Sequence, residues 1–136
     1  MPAQVTWVDE NHTILCYQYR NPWVWEDAYA AIQQARQMMA DGTNTVDCIV
    51  DMTGARIPAG NAIIQIRKLG ELGQNMTNYS GLTVFVKADA FLKALLHVHE
   101  QVYPDQANNL NWPHVNTMAE AVAFIENQRK TVAKEP

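Results

Sequence analysis

Apolar positions recur along the chain with two periods, and the switches between them mark the elements. Val5-Thr6-Trp7-Val8 and Thr13-Ile14-Leu15-Cys16-Tyr17-Gln18-Tyr19 are β-branched and aromatic runs around the turn-like Asp9-Glu10-Asn11-His12, which predicts an antiparallel hairpin. Helical spacing follows in Trp25, Ala28, Tyr29, Ile32, Ala35 and Met39, with Gly42 as the stop. That helix starts either at Asn21-Pro22, as cap and first residue, or nearer Trp25, where Glu26-Asp27 suit a first turn. Val46–Asp51 and Leu82–Val86 are apolar on both parities, the pattern of central parallel strands covered on both faces.

Between those runs the spacing predicts a helix over Gly60–Gln74, burying Ile63, Ile66, Leu69 and Leu72. Another runs from Asp89, a cap, to Tyr103, where Pro104 stops it, with Leu92, Leu95, Val98 or His99, and Val102 as its apolar stripe. Asn111–Val115 suits a short edge strand, since Pro113 lacks a ladder donor. Thr117-Met118-Ala119-Glu120 has capping-box spacing and opens a last helix with Met118, Ala121, Val122 and Ile125 on one face. The tail over residues 130–136 is expected to fray. Together these predict one α/β domain over residues 1–136, with a mixed sheet of four to five strands and about four helices.

Composition narrows the function classes. Apolar residues at 48% and a net charge of −4 without a basic block suit a packed core and argue against a nucleic-acid partner. No apolar run reaches spanning length, and Met1-Pro2-Ala3-Gln4 does not resemble a signal peptide, so a cytoplasmic location is expected. On that expectation the Asn-x-Ser/Thr triplets at Asn11, Asn75 and Asn78 carry no meaning, and Cys16 and Cys48 read as buried thiols in preference to a disulfide.

Three stretches carry a family likeness: the opening hairpin followed by a helix, the strand end Ile49-Val50-Asp51-Met52-Thr53-Gly54-Ala55, and the closing Val115-Asn116-Thr117-Met118-Ala119-Glu120-Ala121-Val122-Ala123-Phe124. In these the chain resembles the STAS/SpoIIAA-like superfamily over roughly Val5–Asn127. The resemblance implies a regulatory domain that binds a ligand or a protein partner, in some members switched by a phosphoserine just after the Asp-x-Ser/Thr-Gly strand end. Here that stretch is Ile57-Pro58-Ala59-Gly60-Asn61, and Ala59 and Gly60 carry no hydroxyl. The switch is not carried over, and the likeness falls closer to SpoIIAA-like proteins that lack it.

Two candidate sites follow. Ligands of parallel sheets gather beyond the carboxyl ends of the strands, which here would present Asp51, Thr53, Gly54 and Arg56 after one strand and Lys87 after the next, as an anion- or partner-binding edge. Asp51 and Lys87, with Asp9-Glu10, also resemble a phospho-accepting receiver, but a hairpin follows Asp9-Glu10 where a receiver has a helix. The second site is the aromatic group Tyr19, Trp23, Trp25 and Tyr29, near Tyr17. It reads as core, or as an apolar pocket or interface, because alternation along an extended stretch would turn one tryptophan outward. His97 and His99 point to different sides of a helix and do not share a metal easily. No metal, cofactor or catalytic constellation is expected. The expected function is a non-enzymatic regulatory or interaction domain, with a homodimer through an apolar surface; the alternative is a carrier or sensor of a small apolar or amphiphilic ligand.

Overall fold

The computed structural model describes residues 2–40 and 42–134, without the side chains of residues 108, 109 and 132–134. In chain order the elements are β1 (Ala3–Trp7), β2 (Ile14–Tyr19), α1 (Trp25–Ala40), β3 (Val46–Asp51), α2 (Ala62–Gln74), β4 (Tyr79–Val86), α3 (Ala90–Val102), α4 (Pro104–Asn109), β5 (His114–Val115) and α5 (Met118–Lys134). The fold is α/β, with one mixed five-stranded sheet in the order β1-β2-β3-β4-β5. β1 pairs antiparallel with β2, and every later pairing is parallel.

This order decides where the helices go. Each parallel crossover steps one strand in the same direction, and right-handed crossovers then place their helices on one face of the sheet. α1, α2 and α3 accordingly share a core with Leu15, Tyr17, Cys48 and Phe85. α5 covers the other face, where Ala121 and Ile125 pack on Ile14, Cys16, Ile49, Val84 and Val86.

Local chemistry sets the boundaries. In the hairpin turn the Asp9 carboxylate accepts the Thr13 and Ile14 amides and the Thr13 hydroxyl. Desolvation pushes that carboxyl up, but the hydrogen bonds outweigh it and hold it below its ordinary value. Asp9 is therefore a turn cap. Asp89 caps α3 by accepting the Leu92 amide at 2.8 Å. Thr117 Oγ1 accepts the Glu120 amide at 3.0 Å, while Glu120 reaches back to the Asn116 amide. Thr117→Ala is expected to cost about 1 kcal/mol, read as a lower urea midpoint with an unchanged slope.

Several expectations are corrected. Asn21-Pro22 does not open α1; the Asn21 side chain instead spans to the Gly54 carbonyl and the Arg56 amide, and the helix starts at Trp25. α2 starts at Ala62 and buries Ile66 and Gly70, with Ile63, Leu69 and Leu72 only half-buried. α3 buries Leu92, Leu96 and His99, whereas Val98 is 41% and Val102 54% exposed. Pro104 ends α3 but also occupies the first turn of α4, which periodicity did not show. α5 runs on to Lys134; of the tail expected to fray, residues 135–136 lie outside the described residues. Arg129 ties it to the sheet: its guanidinium donates to Asp47 Oδ2 and to the Thr13 carbonyl and hydroxyl, and Ser80 donates to the other Asp47 oxygen.

No helix among the described residues is long and apolar enough to cross a membrane.

Candidate functional site: an apolar cavity between the sheet and three helices

The face of the sheet toward α1–α3 is a ladder of side chains in register. Tyr17, Val50 and Phe85 form one row across β2, β3 and β4, and Leu15, Cys48 and Thr83 form the next. Period-two alternation sends these residues to one side. Above them lies a cavity of about 130 Å³. Its walls are Trp25, Ala28 and Ile32 of α1, Ile66, Leu69, Gly70 and Gly73 of α2, and Leu92 and Leu96 of α3. Tyr19, Trp23, Met52, Ile57, Met76, Tyr79, Leu110 and Trp112 complete the lining.

The space exists because the helices present small residues to it. Gly70 lies inside α2, where a glycine costs about 1 kcal/mol relative to alanine, and Gly73 is the penultimate residue of that helix. A Cβ at Gly70 would lie 2.5 Å from Gln106 Oε1, so that glycine makes room for a neighbour. A Cβ at Gly73 would meet only Tyr79 Cε2, at 3.9 Å. Sterics do not demand Gly73; its effect is to leave volume open.

Electrostatically the cavity is neutral. None of its described lining residues carries a charged side chain. Burial, with the neighbouring Cys48, Tyr19 and Tyr79, pushes the Tyr17 phenol well up; burial does the same to the Cys48 thiol and the Tyr79 phenol. Each therefore stays protonated near neutral pH. The Tyr79 and Thr83 hydroxyls hydrogen-bond each other. Trp23 and Trp25 pack edge to face with centroids 5.4 Å apart, and Tyr19 lies 4.6 Å from Trp23. Both indole Nε1 donors are buried with no hydrogen-bond partner among the described residues, which is uncommon for buried donors.

Of the aromatic residues singled out from sequence, Tyr19, Trp23 and Trp25 line this cavity. Both tryptophans are buried, as the core reading expects, and neither is turned outward. Residues 21–24 are not a regular strand, so strict alternation does not apply to them. Tyr29 lies outside the lining; its hydroxyl donates to Gln65 Oε1 at 2.5 Å and joins α1 to α2.

The strand-end residues have other partners. Asp51 is buried and accepts the Thr53 amide and hydroxyl. Gly54 takes φ 75° in the turn that follows, and the Arg56 amide is held by Asn21. Arg56 and Lys87 are both exposed, after neighbouring parallel strands and so at the same end of the sheet. Because the strand order never reverses, that end has no crevice of the kind doubly wound sheets form at a switch point. Among the described residues, no three His, Cys, Asp or Glu side chains converge.

His99, next to this site, is 1% exposed and stacks on Trp112. Burial lowers its pKa from 6.5, against weaker opposing effects of Gln106 and Glu100. The folded state thus favours neutral His99. The stability this contributes is fully present above the unfolded value and is lost as pH falls below it. His99→Gln is expected to flatten the loss of urea stability between pH 7 and about pH 5.5, a window above most carboxylate titrations.

Neither a protein-family model nor a curated protein matches this chain.

Proposed function

We propose that the protein is a binding domain, a sensor or carrier, for a small, uncharged, largely apolar ligand held between the sheet and α1–α3. The observation that carries this reading is the 130 Å³ cavity with a neutral, mostly apolar lining. An engineered apolar cavity of roughly 150 Å³ stays dry and takes up benzene, which sets the scale at one ring or a short branched chain. The Tyr17, Tyr79 and Thr83 hydroxyls offer a place for one polar group. A carboxylate or ammonium would lose its hydration with no opposite charge to meet. The ligand reading is thus narrower than an amphiphile whose head group reaches Arg56 and Lys87, neither of which lines the cavity.

Membership of the STAS/SpoIIAA-like superfamily is part of the proposal, supported by the opening hairpin, the Asp51-Met52-Thr53-Gly54 strand end and the closing strand and helix. A regulatory role through a protein partner is the second reading. It is favoured by a stripe on α3, Phe91, Val98 and Val102, exposed by 56%, 41% and 54%.

Calorimetric titration with benzamide and with benzoate, nearly equal in shape, tests the ligand reading. The neutral amide is expected to bind at least about tenfold more tightly than the anion. Equal affinity, or binding of the anion alone, would refute a neutral site.

A further inference from the structure

We propose that the ligand of the cavity carries a carbonyl oxygen, as a small ketone or ester does, and that the Tyr17 hydroxyl is the donor that reads it; this rests on the ligand reading above and narrows it. The lining is one-sided in hydrogen bonding. Apart from the thioethers of Met52 and Met76, every side-chain heteroatom of the described lining residues, on tyrosine, tryptophan, threonine or cysteine, carries a hydrogen. No carboxylate, carboxamide or imidazole is among them. In folded proteins an orphaned hydrogen is rarer than an oxygen with one idle lone pair. A lining of this kind is therefore complemented by an acceptor.

Several of those hydrogens are already used or out of reach. The Tyr79 and Thr83 hydroxyls bond each other, and the Trp23 and Trp25 nitrogens are fully enclosed. Tyr17 differs from both pairs. Its hydroxyl has no hydrogen-bond partner among the described residues, yet it is not one of the enclosed unpartnered atoms, which are those two nitrogens and His99 Nδ1. Open space therefore reaches it. Tyr17 is only 8% exposed and stands in register with Val50 and Phe85 on the face that α1–α3 cover, so that space is the cavity. Burial keeps the phenol protonated, which leaves it a hydrogen to give at neutral pH. Tyr19, at the end of β2, lies instead near the Asp27 carboxylate.

Cyclohexanone and methylenecyclohexane are nearly equal in shape and differ by an oxygen against a CH2 group. Their dissociation constants are measured for the parent protein, Tyr17→Phe and Tyr19→Phe. Tyr17→Phe is expected to weaken the ketone about fivefold, the worth of one neutral hydrogen bond, and to leave the hydrocarbon unchanged. Tyr19→Phe is expected to change neither. Because the Tyr17 hydroxyl bonds to no described residue, its removal is expected to leave the urea midpoint where it was. In the parent protein the carbonyl stretch of bound cyclohexanone is expected below its position in alkane, the mark of a donated hydrogen bond. An alkane-like stretch, a ketone affinity indifferent to Tyr17→Phe, an equal loss for both ligands, or a ketone loss in Tyr19→Phe instead would overturn the assignment while the hydrocarbon still binds. A hydrocarbon that binds none of the three proteins would sink the ligand reading itself, and this proposal with it.

Discussion

Gly73→Met is expected to reduce binding of a neutral ring compound such as toluene by more than about tenfold while the protein stays folded. The added side chain starts from a Cβ with only Tyr79 Cε2 near it, at 3.9 Å, and extends into a cavity of about 130 Å³. Gly73 is the penultimate residue of α2, so replacing it favours the helix by less than the roughly 1 kcal/mol of an interior glycine, and thermal stability is expected to hold. Loss of binding with retained stability separates a filled site from a damaged fold. Undiminished toluene affinity in the variant would place the ligand elsewhere.

Arg129→Ala is expected to lower unfolding free energy by about 2 kcal/mol, the largest stability effect expected here. The guanidinium bonds to Asp47 Oδ2 and to Thr13, tying α5 to the amino ends of β2 and β3. Asp47 is buried, with side-chain exposure of 10%, so truncation strands a carboxylate that retains the Ser80 hydroxyl. Arg129 itself is 39% exposed, and solvent screening keeps the cost below that of a fully buried pair. Urea unfolding measures the loss. A midpoint equal to that of the parent protein would show the network to be energetically idle.

The sheet was legible because its strands are unambiguous: Ile49-Val50 and Val84-Phe85-Val86 are apolar on both parities, and the hairpin residues are β-branched or aromatic. Caps at Asp89 and Thr117 were legible for the same local reason. The face of α3 was not. Phe91, Leu92, Leu95, Leu96, Val98 and Val102 spread over about 160° of its circumference, wider than one buried stripe, and periodicity cannot choose among them. Packing of Leu96 and the His99–Gln106 hydrogen bond make the choice in three dimensions. Arg129 gave no sign of its role, since its partners lie 82 and 116 residues earlier in the chain.

The aromatic group near α1 pointed toward the site, but a cavity is an absence of atoms and has no residue of its own. The available signal was Gly70 and Gly73 inside an otherwise helical pattern, since an interior glycine needs a packing or functional reason. The strand-end residues Asp51, Thr53 and Gly54 were conspicuous as a motif, yet their side chains and backbone build the turn after β3.

Methyl-labelled NMR spectra recorded during a toluene titration test the central claim most directly. Ile32, Ile66, Leu92 and Leu96 line the cavity, whereas Ile14, Ile49 and Ile125 lie on the opposite side of the sheet under α5. Saturable shifts are expected at the first group, with the second unmoved. Shifts that do not saturate, or that appear equally on both faces, would contradict a ligand site between the sheet and α1–α3.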